Sequence, residues 1–145
     1  MGLSDVFKIG GMALNSQRTR MEVISSNLAN SQTTRTEDGG PYRKKDVVFR
    51  SESIDKGSAF SRIMDKQIDI DSVKVEEIRN NTKEPEKIFN PGHPDADEKG
   101  YVLFPNVNIM EEMADMTAAS RAYEANINII NTTKEMMIKA LEIGK

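Results

Sequence analysis

The sequence contains no cysteine, no tryptophan and a single histidine in 145 residues. The first absence removes disulfides and thiolate chemistry. With only His93 beside it, the ligand set of a structural zinc site is missing. Aromatic residues make up 6% of the chain and hydrophobic residues 37%. A compact core of this size normally holds more large rings, so Met, Ile and Ala must carry the apolar mass in helices. Neither sign of charge dominates: the net charge is -3, which gives no reason to expect a nucleic-acid partner. No apolar run approaches the length a membrane span needs. A cleavable secretory signal is not expected, because Asp5 and Lys8 break the opening apolar stretch and no basic segment precedes it. Val6 stands where myristoylation would need Ser or Thr. The expectation is a protein of the cytosol, or one exported by a route that reads no cleaved signal.

What the chain does have is a period. From Asn108 to Ile143, alternating steps of four and three meet Ile109, Met113, Met116, Ser120, Tyr123, Ile127, Ile130, Lys134, Met137 and Leu141, eight of the ten apolar or aromatic. Such a 3.5-residue period predicts a long helix with a coiled-coil seam. No Pro or Gly interrupts it before Gly144. At 1.5 Å per residue it would run roughly 50 Å, more than the core of so small a chain can cover. Asn108 is placed to cap it, with Glu111 at the capping-box position and Glu112 and Asp115 adding to an acidic start.

The first thirty residues carry the same period in Leu3, Phe7, Gly10, Leu14, Gln17, Met21, Ile24 and Leu28. Gly10-Gly11 costs about 1 kcal/mol per Gly against Ala, so the first turns should fray or kink when alone. Ser31-Gln32-Thr33-Thr34 should end the helix near Asn30. The two terminal helices are expected to pair as an antiparallel coiled coil. Its seam joins Leu3, Phe7, Leu14, Met21, Ile24 and Leu28 to Met113, Met116, Tyr123, Ile127, Ile130, Met137 and Leu141. The second helix outruns the first by about two turns, so part of its seam must face something else. Parallel pairing between chains is the alternative arrangement.

The fold class predicted is mainly α with a small β subdomain. Residues 1–30 and 108–145 form the helical domain, and residues 31–107 form a loop and a small β-rich part. Asp38-Gly39-Gly40-Pro41 marks a turn. The basic Arg43-Lys44-Lys45 next to Asp46 reads better as a solvated loop than as a phosphate site. Val47-Val48-Phe49, the near-alternation of Ile68, Ile70, Val73 and Val75, and Tyr101-Val102-Leu103-Phe104 before Pro105 read as short strands or a hairpin. Gly57-Ser58 and the stretch from Asn80 to Pro85 read as turns, and Ser51 to Arg62 has no clear assignment. Strands this few and short should lean on the helices.

Two further features bear on function. Asn90-Pro91-Gly92-His93-Pro94-Asp95-Ala96-Asp97 places His93, Asp95 and Asp97 where they would suit a metal or acid-base chemistry. No second His or nucleophile accompanies them, and a rigid turn built by Pro and Asp explains the stretch better. No catalytic, cofactor-binding or metal residue is assigned. The other feature is a second stripe on the last helix: Ala114, Ala118, Ala122, Ala125, Ile129, Met136 and Ile143. A helix apolar on two faces expects neighbours on two sides. The expected function is self-assembly or docking into a larger structure through unlike faces, which build rings or filaments. The free monomer's termini should be partly disordered and fold on binding.

Several segments resemble the rod and hook proteins of the bacterial flagellum. Ser26-Asn27-Leu28-Ala29-Asn30 followed by Thr33-Thr34 is similar to the N-terminal segment those families share. Glu112-Met113, then Ala119-Ser120-Arg121-Ala122-Tyr123-Glu124-Ala125-Asn126, and finally Leu141-Glu142-Ile143-Gly144 match the C-terminal one. Pro41-Tyr42-Arg43-Lys44-Lys45 and the central Asn90-Pro91 with His93-Pro94-Asp95-Ala96-Asp97, Gly100-Tyr101-Val102 and Pro105-Asn106-Val107 point to the short proximal-rod members. Arg35-Thr36-Glu37-Asp38 replaces the Gly that hook-type relatives carry after the Thr pair. The resemblance implies a structural subunit of the basal-body rod in the periplasm, exported through the flagellar type III apparatus without a cleaved signal. Its implied partners are further copies of itself, other proximal and distal rod proteins, the rod-base export-gate adaptor and the inner-membrane ring protein. It implies no enzyme activity, no cofactor, no nucleic acid and no small-molecule substrate. A cytosolic coiled-coil adaptor closing as a discrete homodimer is the alternative from the residues alone.

Overall fold

A computed structural model describes residues 3–53 and 71–143 of the chain. In order these are helix α1 (Leu3–Ala29), strands β1 (Lys45–Ser53), β2 (Asp71–Asn80), β3 (Glu86–Phe89) and β4 (Tyr101–Phe104), and helix α2 (Ile109–Ile143). The sequence-predicted mainly helical fold with a small β part is the one found. Ile68, Ile70 and Gly57-Ser58 lie outside the described residues, as does most of the stretch from Ser51 to Arg62.

Both helices end where local chemistry satisfies their backbone. Asn108 caps α2: its Oδ1 accepts the Met110 and Glu111 N–H groups at 3.0 and 3.4 Å. At the other helix's C-terminus, Asn30 donates its backbone N–H and its Nδ2 to the Ser26 carbonyl, at 3.1 and 2.9 Å. The Ser31 hydroxyl donates to the Leu28 carbonyl at 2.8 Å, so two carbonyls of the last turn, Ser26 and Leu28, gain side-chain donors. α1 runs unbroken through Gly10-Gly11. Here Gly10 serves packing, since a Cβ on it would lie 2.9 Å from Ile130 Cγ1.

α1 and α2 pack antiparallel: Gly10 meets Ile130, Arg20 meets Asp115 and Asn27 meets Glu112. From the Gly10–Ile130 contact α1 has seven residues left to its start and α2 thirteen to its end. That step is about 9 Å at 1.5 Å per residue. The helices are flush at the loop end and stepped at the other.

β1 and β2 pair antiparallel, with a bulge where Val48 opposes Glu77 but Phe49 opposes Val75. The extra residue, Glu76, keeps Val73, Val75 and Ile78 on the face shared with Val47 and Phe49. The ribbon packs on α1, and the Ser16 hydroxyl donates to the Val73 carbonyl at 3.1 Å. As the near-alternation suggested, the strand is half exposed, with Val75 half-buried and Val73 46% exposed, but its one buried residue is Ser72. β3, unforeseen in the sequence, pairs antiparallel with β4. All four of its residues are exposed, so it carries no inward apolar alternation, and cross-strand pairing with β4 defines it.

Candidate assembly surface

Where the helices meet, the seam is half apolar and half polar. On α2, Met116, Tyr123, Ile130 and Met137 are half-buried at seven-residue intervals. Between them run Glu112, Ala119 and Thr133, all buried, with Asn126 half-buried. The sequence-predicted file sat one residue later, at Met113, Ser120, Ile127, Lys134 and Leu141. Ile127 is half-buried, but Met113 is 53% exposed and Leu141 73% exposed. Those two are corrected out of the intrachain seam. Apolarity drew the reading to Met113 and Leu141, whereas small or polar side chains fill the inward positions and let the helices approach. On α1, Ile24 is buried and Phe7, Leu14, Met21 and Leu28 are half-buried. Gly10, Ser16, Val23 and Asn27 are also buried, because α1 has α2 on one side and the β1–β2 ribbon on another. The side chains of Leu3 and Ile143 lie outside those described.

A polar latch closes the flush end. The Asn27 amide uses every hydrogen-bonding site it has. Its Nδ2 donates to the Lys45 carbonyl at 2.9 Å and to Glu112 Oε2 at 3.0 Å. Its Oδ1 accepts the Lys45 N–H at 2.9 Å and the Tyr42 hydroxyl at 3.0 Å. Glu112 is 1% exposed, and its other oxygen meets Lys44 Nζ at 2.6 Å. Burial pulls the Lys44 pKa down, but the hydrogen bond and charge of Glu112, with Glu111 and Asp46 behind, hold it above its ordinary value. Arg20 and Asp115 add a more exposed pair at 2.9 Å one turn further along. Glu112, Lys44 and Tyr42 were missed in the sequence. Glu112 reads there as a helix-dipole residue and Lys44 as part of a solvated basic loop. The one available signal was that Glu112 lies seven residues before Ala119, on the same file.

The His93 turn is held by backbone contacts. The Asp95 N–H donates to His93 Nδ1 at 3.1 Å, and the ring packs edge-on to Phe104. Asp95 accepts the Thr34 hydroxyl at 2.7 Å, which ties this turn to the loop after α1. Asp97 Oδ1 accepts the Tyr101 and Lys99 N–H groups at 2.8 and 2.9 Å. The Tyr101 N–H, more than any other cause, holds its pKa below the usual carboxylate value. Pro94 and Ala29 are exposed, while Asn30 serves the α1 C-terminus. Among the described residues no group of acidic or histidine side chains is arranged to hold a metal. None of the described helices is long and apolar enough to cross a membrane.

The outward side of α2 carries the second stripe. Ala114, Ala118 and Ala125 are exposed and Ala122 is half-buried. Ile129 is 50% exposed and Met136 is 60% exposed. In the single chain these side chains have no apolar cover to match their size.

Residues 7–35 match the family described as flagella basal body rod protein, and residues 98–143 match the flagellar basal body rod FlgEFG protein C-terminal family. The chain is 44% identical to the flagellar basal-body rod protein FlgC of Borreliella burgdorferi, covering 99% of this chain and 98% of that protein. The chain belongs to the FlgC family of flagellar basal-body rod proteins. FlgC of Bacillus subtilis is 42% identical over 94% of this chain and 95% of its own length. FlgC of Escherichia coli O6:H1 is 39% identical over the full length of both. The two ends matched by the family models contain α2 and most of α1, so the latch residues Asn27 and Glu112 fall inside them while Lys44 falls between them.

Proposed function

We propose that the chain is a structural subunit of the proximal rod. There it assembles with copies of itself and with other rod proteins into the shaft that carries torque from the inner-membrane ring to the hook. It works in the periplasm, which it reaches through the flagellar type III apparatus without a cleaved signal. At the rod base it meets the export-gate adaptor and the inner-membrane ring protein. Residues 1–30 and 108–145 form the axial core, and residues 31–107 form the part set against it. It is not an enzyme and needs no cofactor, nucleic acid or small-molecule substrate.

The observation that carries this reading is the uncovered stripe on α2 in a chain similar to rod proteins along its whole length. Ala114, Ala118, Ala122 and Ala125 let a neighbouring backbone come close, and Ile129 and Met136 supply the apolar area. A carboxylate at Ile129 would be exposed and harmless in the single chain but desolvated in a subunit contact. Ile129→Glu is therefore expected to leave the protein soluble and exported while abolishing rod assembly and swimming. Normal motility of that strain would sink the second face. A dimer whose mass does not change with concentration would instead favour a closed coiled-coil adaptor.

A further inference from the structure

We infer that the buried cluster of Glu112, Asn27 and Lys44 selects the register in which α1 and α2 close. The apolar half of the seam discriminates poorly between registers. Met116, Tyr123, Ile130 and Met137 recur at seven-residue intervals, so sliding α2 by one heptad returns a similar apolar file to face α1. The other half does not repeat chemically. Glu112, Ala119, Asn126 and Thr133 occupy equivalent positions, and only Glu112 carries a charge.

Its partners are fixed independently of α2. Asn27 is bonded to both the N–H and the carbonyl of Lys45, and that pairing sets Lys44 at the end of α1. A slide in one direction would bring Ala119 to the place of Glu112. The Lys44 ammonium and one Asn27 N–H would then be left without an acceptor in a largely buried site. A slide in the other direction would bring Glu112 level with Arg20, which could receive it. That slide strands Lys44 and Asn27 in the same way and takes Arg20 from Asp115. A buried ion that is well bonded in one alignment and unpaired in the others is a register device.

The cysteine-free chain allows a direct test. Three full-length proteins carry Gly10→Cys together with Ile130→Cys, Tyr123→Cys or Met137→Cys. They report the observed register and the two that lie one heptad away. Each is prepared with Glu112, with Glu112→Leu and with Glu112→Gln, so the effect of each cysteine pair, including the crowding of a position-10 side chain against a retained Ile130, is the same in all three backgrounds. With Glu112 present, the 10/130 disulfide is expected to form faster than the other two by about ten-fold or more. In Glu112→Leu that preference should fall about ten-fold with helix retained by circular dichroism. In Glu112→Gln, whose one carbonyl oxygen can still accept from Lys44 or Asn27 while its NH2 faces the other donor, only part of the preference should return. An unchanged preference in a helical Glu112→Leu protein overturns the inference. Should that variant lose its helix, the Lys44→Met/Glu112→Leu double variant removes both charges at similar volume. An unchanged preference there overturns it too, as does loss of helix, which would mean that the cluster holds the helices up and does not choose their alignment.

Discussion

Glu112 stands where a coiled-coil seam would ordinarily place a leucine, and both oxygens of its buried carboxyl group are bonded. Removing it strands an ammonium and an amide N–H. Glu112→Ala is expected to cost about 3–5 kcal/mol of stability, and Glu112→Gln clearly less, read from urea unfolding of the full chain. The same pair predicts an alkaline limit. Lys44 has its folded pKa raised above the usual 10.5, so its contribution is complete below that value and is lost as pH climbs through the folded one. Stability should hold steady in this group from neutral pH to the ordinary lysine range and decline above it. Lys44→Met should remove that decline. None of this was legible in the residue types. Asn27 stood out only through the family resemblance, and nothing local marks Lys44 as different from Arg43 or Lys45 beside it.

The helices show how far a period can be read. Their extent follows from the four-three spacing, the Asn108 cap and the polar stop after Asn30; the antiparallel pairing was the economical arrangement of two seams in one chain, and it is the one found. The inward file of α2 was legible only in its larger half, at Met116, Tyr123, Ile130 and Met137. The smaller half was misplaced by one residue because Ala119 and Thr133 give hydropathy little to count. β3 was lost for a related reason: Glu86 and Lys87 are two of its four residues, and no face of it is buried. The two glycines of α1 make the same lesson testable. They are neighbours of identical intrinsic cost, yet a Cβ on Gly10 would meet Ile130 at 2.9 Å while one on Gly11 would meet nothing within 4 Å. Gly11→Ala should stabilise the helix by about 0.5–1 kcal/mol. Gly10→Ala should destabilise by about 1 kcal/mol or more, since overpacking outweighs propensity there. Thermal melts of the two variants should move in opposite directions.

As a whole the molecule is a long helical pair with a modest β part on its side and few residues sealed from water. Only Val23, Ile24, Val102 and Ala119 are buried hydrophobics among the described residues. So small a sealed core leaves the helices dependent on neighbours, because an isolated helix gains little without a packed face. Helical content by circular dichroism is therefore expected to rise with protein concentration and to be highest in the assembled state. A fully helical monomer at high dilution would contradict this. The same sparseness was visible in the sequence as few aromatics and two apolar faces, so the need for neighbours could be read there while their identity came from similarity to known proteins.

A subunit flush at its loop end and about 9 Å longer on one side at the other has an up and a down that cannot be exchanged. Anything stacked from it inherits that polarity, so its two ends present different surfaces to whatever comes next. A shaft of such parts can be extended from either end only by a different fit, and that difference is already written into one helix being longer than its partner.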